Sequence, residues 1–221
     1  MNKFAIGCGG FLVILVFIIV VCGLALMGKY NSLVGLGQSV DAQWAQVQTV
    51  YQRRADLIPN LVNTVAGAAN FEKSTLTEVT NARASVGRVQ LDPNKAPTDA
   101  KQLQEFQAAQ GQLSNALSRL LVVAENYPQL KATQNFQGLQ AQLEGTENRI
   151  SVERNKFNTT VQTYNVAVRS FPTNLIAGMF GFAPRPFFEA AQGAQNAPTV
   201  NFNFGSPAPA TSPAATAAAT P

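Results

Sequence analysis

Residues 4–27 read FAIGCGGFLVILVFIIVVCGLALM, an unbroken apolar run without a charged side chain. A helix rising about 1.5 Å per residue would carry this run over roughly 36 Å, enough to cross a hydrocarbon core of about 30 Å with some tilt. The run decides which solvent the rest of the chain meets, and everything after Lys29 reads as a domain tethered to a bilayer. A cleaved secretory signal has an apolar core of only about 7–15 residues and a small-residue cut site. Here the core is longer, and the one plausible cut, after Ala25, is poor. A lipid-modified cysteine needs a small residue before it, whereas Cys22 follows Val20 and Val21. The uncleaved anchor is the better reading. Lys3 and the amino terminus on one side, against Lys29 alone on the other, lean the positive-inside rule towards a cytoplasmic amino terminus.

Composition narrows the function classes. The formal net charge is +4, but Lys3 and Lys29 flank the apolar run and the remainder is nearly balanced. With no basic run and no basic stripe interleaved with aromatics, nucleic acid is not an expected partner. Both cysteines, Cys8 and Cys22, lie inside the run, so no disulfide framework exists beyond it. The chain has no histidine, which removes the commonest general base and the commonest metal ligand. No cofactor or metal is implied. Glu144 and Glu147 stand three apart as in di-iron bundles, but lack the histidine that pattern needs. The neighbours Lys73 and Ser74 do not face each other on a helix, which disfavours a serine–lysine pair. Walker loop, dinucleotide fingerprint and nucleophile elbow are all missing from the sequence.

Beyond the run, apolar residues recur at alternating three- and four-residue steps up to Pro172, the mark of one helix face. A first seam runs Leu33, Gly37, Val40, Trp44, Val47, Tyr51 and on to Ile58; a second runs Leu61, Val65, Ala68, Leu76, Val79, Val86. A third follows Leu103, Phe106, Gln110, Leu113, Leu117, Leu120, Ala124, Tyr127. A fourth takes Phe136, Leu139, Leu143, Ile150, Phe157, Val161, Tyr164, Val168, Phe171. Pro59 predicts that the first helix ends near Asp56. The competing reading makes Pro59 a kink in one continuous helix and gives a three-helix hairpin with a projecting arm. Pro93 and Pro97 mark a turn with Thr98 or Asp99 as the next cap, and Asn126-Tyr127-Pro128 marks another. Short connections and narrow seams predict an all-α fold: an N-terminal transmembrane helix, then an up-and-down antiparallel four-helix bundle with helices of about 28–40 residues.

Two groups of residues are candidates for function. Arg54, Glu72, Arg83, Glu147 and Arg154 interrupt the seams, and in such a bundle the last four would fall at mid-height. Unpaired in a dry core they would cost several kcal/mol each, so they must pair or reach water. They form a polar layer that fixes helix register or snorkel to the rim, with a buried ligand site as the sharper alternative. The second group is the Gly/Phe/Pro-rich stretch 172–189 and its approach, with Phe171, Phe180, Phe182, Phe187 and Phe188. It is too short and too punctuated to span a bilayer, and Thr173 or Asn174 can cap a brief helix through Phe180. It reads as a lid on the apolar end of the bundle or as a membrane-proximal docking segment. After Glu189 the Ala/Pro/Thr/Ser/Gln-rich sequence lacks the apolar content to order itself, with residues 200–204 as a short strand-like exception.

Several strings together resemble the LemA family: YNSL at 30–33, RRADLIPNLV at 53–62, FEK at 71–73, Ala82-Arg83, TENRI at 146–150, Tyr164-Asn165, and SFPTNLIAGMFGF at 170–182 leading to PFFE at 186–189. The match runs from the anchor to Glu189. Phe71 stands where many relatives have histidine, so no role of that imidazole transfers. The resemblance implies a short N-terminus and single span (1–29), an extracytoplasmic four-helix bundle (30–171), the membrane-proximal segment (172–189) and a tail (190–221). It implies residence in the bacterial cytoplasmic (inner) membrane and carries no established enzymatic activity. A non-enzymatic envelope scaffold or adaptor is the expected function, with the lipid bilayer and envelope proteins, membrane proteases among them, as partners. Homo-oligomerisation stays open. The alternative is a ligand-binding bundle that uses the mid-height charges.

Overall fold

In the computed structural model the described residues are 2–68, 71–89 and 91–189, with side chains from residue 13 onwards except Cys22. The stretch 190–221, which holds the expected tail and the strand-like segment, lies outside them. The elements are all helical: α1 (Asn2–Ala66), α2 (Lys73–Arg88), α3 (Ala100–Ala124), the single turn α4 (Pro128–Lys131), α5 (Gln134–Arg169) and α6 (Thr173–Phe180).

The apolar run and the first seam are one helix. α1 contains a stretch long and apolar enough to cross a membrane, with none of that stretch buried against the rest of the chain. It then continues past Asp56 and through Pro59 to Ala66, so the expected stop near Asp56 is corrected. The reason is a balance of magnitudes. A proline inside a helix costs about 3 kcal/mol, because it lacks the N–H that the carbonyl four residues earlier would accept. Beyond it, Leu61 and Val65 are fully buried, and each such side chain contributes about 1.5–3 kcal/mol on burial. The orphaned carbonyl, that of Ala55, accepts instead from Arg83 Nε at 3.2 Å. Leu61 and Val65 therefore extend α1 rather than start α2, and α2 is left with 16 residues against 36 in α5.

Side-chain contacts fix the direction of the helices. Gln43 of α1 bonds Glu153 of α5, and Arg54 bonds Glu147, so numbering rises along one helix as it falls along the other. On α3, Phe106 packs on Trp44 and Gln110 meets Arg54, so α3 runs with α1. Asp99 caps α3 by accepting from the Lys101 N–H, as the sequence suggests, and Thr133 caps α5 by accepting from Phe136. The third seam is buried from Leu103 to Ala124 without a miss. The fourth is buried from Phe136 to Val168 except at Leu139, which is partly covered. Phe171 leaves it, because α5 stops at Arg169.

The core is divided in two. Ile58, Leu61, Val65, Val79, Leu113, Leu117, Leu120 and Leu143 belong to an aliphatic cluster at the end of α1 far from the apolar run. Leu33, Trp44, Tyr51, Phe106, Phe157, Tyr164 and Phe188 belong to an aromatic-rich cluster nearer that run. α2 contributes only to the first, through Val79 and Ala82. The second is closed instead by Ala96 of the α2–α3 loop, by Ile176 and Ala177 of α6, and by Phe188.

Candidate functional site

Arg54 sits at the boundary between the two clusters, 2% exposed. Its position is dictated by α1: it follows Tyr51 of one cluster by three residues and precedes Ile58 of the other by four, on the same buried face. One guanidinium nitrogen donates to Glu147 at 2.7 Å and to Ser114 Oγ at 2.8 Å. The other donates to the side-chain and backbone oxygens of Gln110. The guanidinium also lies 5.2 Å from the Tyr51 ring centre, and its Nε has no acceptor among the described residues. Gln110 separates Phe106 from Leu113 on α3, while Thr146 and Glu147 separate Leu143 from Ile150 on α5. Three helices thus place a polar residue at one level. Glu147 is 56% exposed, so the buried cation is neutralised by a carboxylate that keeps much of its water.

The other charges of the expected layer are dispersed. Because α1 runs on to Ala66, Glu72 falls at the start of α2, at the far end, where it accepts from Ser74 Oγ at 2.7 Å. Arg83 lies beside Ala55, close to the height of Arg54, but on the outside, bonded to the carbonyl that Pro59 leaves free. Arg154 stands below Arg54 on α5, with its guanidinium 4.8 Å from the Phe188 ring centre and donating to the Glu189 carbonyl at 3.0 Å. Burial pushes the Tyr51 hydroxyl above its ordinary pKa, with Arg154 and Arg54 pulling the other way. Glu153 goes below its ordinary value, chiefly through its bond from Lys156 and with help from Gln43.

The Gly/Phe/Pro-rich stretch does two different things. α6 forms through Phe180 as expected, although its cap residue is Pro172 and no side chain caps it; Gly181 ends it at φ +75°, a conformation that favours glycine. From Gly181 the backbone turns and runs back along α5 as an extended strap, residues 181–189. Asn165 donates to the Arg185 carbonyl and accepts from its N–H, both at 2.8 Å. Asn158 does the same for Phe188, at 3.0 and 2.8 Å. The spacing is arithmetic: seven helical residues rise about 10.5 Å and three extended residues about 9–10 Å. Two asparagine amides on one face of α5 therefore read the strap backbone as a neighbouring strand would. Arg185 adds a bond to the Ala96 carbonyl at 2.6 Å, tying the strap to the α2–α3 loop.

Phe188 is thereby inserted in the aromatic cluster, stacked on Trp44 at 6.1 Å and edge-on to Phe157 at 5.3 Å, and is only 5% exposed. It is core, not docking surface. Phe182 is half-buried against Tyr30. Phe171, Phe180 and Phe187 remain exposed. The clamp residue Asn158 and the layer residue Ser114 carry no signal in the sequence that distinguishes them from solvated polar positions; Asn165 is marked only as part of the Tyr164-Asn165 string. Gln110 does, since it interrupts an otherwise apolar seam. Among the described residues no cluster of His, Cys, Asp or Glu could hold a metal ion.

The model of the LemA family matches residues 43–202. The chain is similar to magnetosome protein MamQ 2 of Paramagnetospirillum magneticum, 26% identical over 179 residues, covering 74% of this chain and 66% of that protein. It is similar to magnetosome protein MamQ of Magnetospirillum gryphiswaldense at 27% over 178 residues, covering 74% and 65%. Protein LemA of Metamycoplasma hominis is 22% identical over 166 residues, covering 75% and 71%. The chain spans just under two thirds of the length of the magnetosome relatives.

Proposed function

Taking as premise that this chain belongs to the LemA family, we propose that it is a single-pass membrane protein whose helical domain serves as a non-enzymatic scaffold or adaptor in the bacterial envelope. The domain is an up-and-down four-helix bundle of α1, α2, α3 and α5, held outside the cytoplasmic membrane with the amino terminus inside. Its partners are the bilayer and envelope proteins, membrane proteases among them.

The observation that carries this reading is the unbroken course of α1. The helix that is apolar enough to span a bilayer continues without interruption into both core clusters. A domain joined to its anchor by a helix, and not by a flexible linker, is held at a set height above the membrane, which suits a platform. The charges that a ligand site would use have partners within the chain: Glu147, Ser114 and Gln110 for Arg54, the Ala55 carbonyl for Arg83, the Glu189 carbonyl for Arg154. The ligand-binding reading accordingly gains no support from them.

Crosslinking in intact membranes, followed by purification of the full-length protein, is expected to recover the same envelope proteins reproducibly. A glycine-serine insertion after Lys29 should shift or abolish those crosslinks by uncoupling height from anchor. An uncrosslinked, inert monomer would sink the adaptor reading, and a periplasm-specific reporter that stays silent after Glu189 would reverse the orientation.

A further inference from the structure

The end of the domain nearest the apolar run carries an uncovered face. α6 buries Thr173, Ile176 and Ala177 against its neighbours and turns its other side outward. Leu175 and Met179, one turn apart, are 57% and 81% exposed, and Phe171 continues their line at 80%. Phe180 is also exposed, yet one edge of its ring packs on Tyr30 at 4.9 Å, with Phe182 on the same tyrosine at 5.7 Å. That contact fixes the height of α6 along α1. The midpoint of the apolar run falls at Leu15 and Val16, and Tyr30 follows by about 22 Å of helix. Half of a bilayer including its headgroups measures about 20–22 Å. Tyr30 therefore falls in the headgroup layer, where tyrosine is enriched, and α6 lies beside it.

The charge distribution points to the same occupant. Neither residues 1–40 nor residues 154–188 contain an aspartate or glutamate; the 12 carboxylates all lie in between or at Glu189. The cations nearest this end are Lys29, at the close of the apolar run, and Arg169, in the last turn of α5. An apolar helix face rimmed only by cations is complementary to an anionic lipid surface.

We propose that the outward face of α6, with Phe171, Leu175, Met179 and Phe180, beds into the headgroup–acyl boundary of the leaflet that α1 leaves, with Lys29 and Arg169 against anionic lipid phosphates. The domain then touches the bilayer at two points, the span and α6, and its tilt is set as well as its height. This rests on reading the apolar run of α1 as a membrane span, and the test separates the two.

Full-length protein with Cys8→Ala and Cys22→Ala is reconstituted into vesicles of phosphatidylethanolamine and phosphatidylglycerol. An environment-sensitive fluorophore is attached at Met179→Cys and, separately, at Ile14→Cys in the apolar run and at Val122→Cys, an exposed position at the far end of α3. The label at 179 should emit to the blue of that at 122 and be quenched more by lipid nitroxides near the headgroup than by deep ones. The label at 14 should be quenched most by deep nitroxides. A water-exposed 179 beside a deep 14 overturns the lipid contact and leaves the anchor standing. A label at 14 beyond the reach of deep nitroxides overturns both. A blue-shifted 179 that no lipid nitroxide quenches means that a protein or a second copy covers α6, and rejects the lipid assignment. Exchanging phosphatidylglycerol for phosphatidylcholine should weaken quenching at 179; unchanged quenching removes Lys29 and Arg169 from the account.

Discussion

The two halves of the domain solve the same problem with different means. In the half far from the apolar run, α1, α2, α3 and α5 all present regular seams, and mostly aliphatic side chains, with Phe71 and Phe136 besides, fill the space between them. In the nearer half α2 is missing, because α1 takes up the residues around Pro59 and α2 ends at Arg88. The space is filled by larger side chains, Trp44, Phe106, Phe157 and Phe188, each aromatic burying about 150–250 Å². Its fourth wall has no helix to satisfy its backbone, so side chains do so: Asn165 and Asn158 take the polar groups of Arg185 and Phe188. Between the halves lies Arg54. The contrast teaches that a helix too short for its neighbours can be completed by an extended segment, provided the adjoining helix offers amides at the matching rise.

The contrast can be broken most directly at Phe188. Phe188→Ala is expected to cost about 3–5 kcal/mol in urea titration of the full-length protein in nanodiscs, as buried Phe→Ala changes do; a loss under about 1 kcal/mol would mean the strap does not close the aromatic half. Asn165→Ala leaves the N–H and carbonyl of Arg185 without partners and should cost about 2–3 kcal/mol. At the boundary, Arg54→Ala should cost about 2–4 kcal/mol, since it opens a cavity and leaves Gln110 without its partner, and Glu147→Ala about 3 kcal/mol, since it leaves the buried guanidinium without its counter-charge. A loss under about 1 kcal/mol for Glu147→Ala would contradict a buried cation that depends on its carboxylate.

The smaller effects sharpen the far half. Arg83→Ala should cost about 1 kcal/mol in the native sequence and next to nothing when Pro59→Ala restores the N–H for Ala55, a coupling that a double-mutant cycle reads. The smallest concerns Glu153. Its folded pKa is depressed, so it contributes stability above its ordinary value that is lost as pH falls through the folded one. Glu153→Gln should lower stability slightly at neutral pH and flatten the acid limb below about pH 4.5, so that the two profiles meet at low pH.

Regular seams were legible in the sequence wherever one helix packs along its whole length. The third seam is recovered residue for residue, because nothing between Leu103 and Ala124 competes with the helical period. Pro59 misled, since local propensity argues for a stop while the buried side chains of Leu61 and Val65 beyond it argue more strongly for continuation. That error moved Glu72 from mid-height to the start of α2 and hid the bond between Arg83 and Ala55. Phe188 was visible as an aromatic residue but not as core, because an extended segment between prolines has no period to read. Arg54 was legible as a charge interrupting a seam, whereas its partner Ser114 was not, since a serine on a helix has no sequence mark that separates packing from solvation.

Hydrogen exchange on full-length wild type and Phe188→Ala in nanodiscs tests the division of the domain most directly. If the strap closes one of two separately supported cores, protection should fall in residues 150–169, in the first turns of α3 and in the α2–α3 loop, while residues 113–124 and 136–143 keep theirs. A uniform loss along all helices would show a single undivided core and contradict the account.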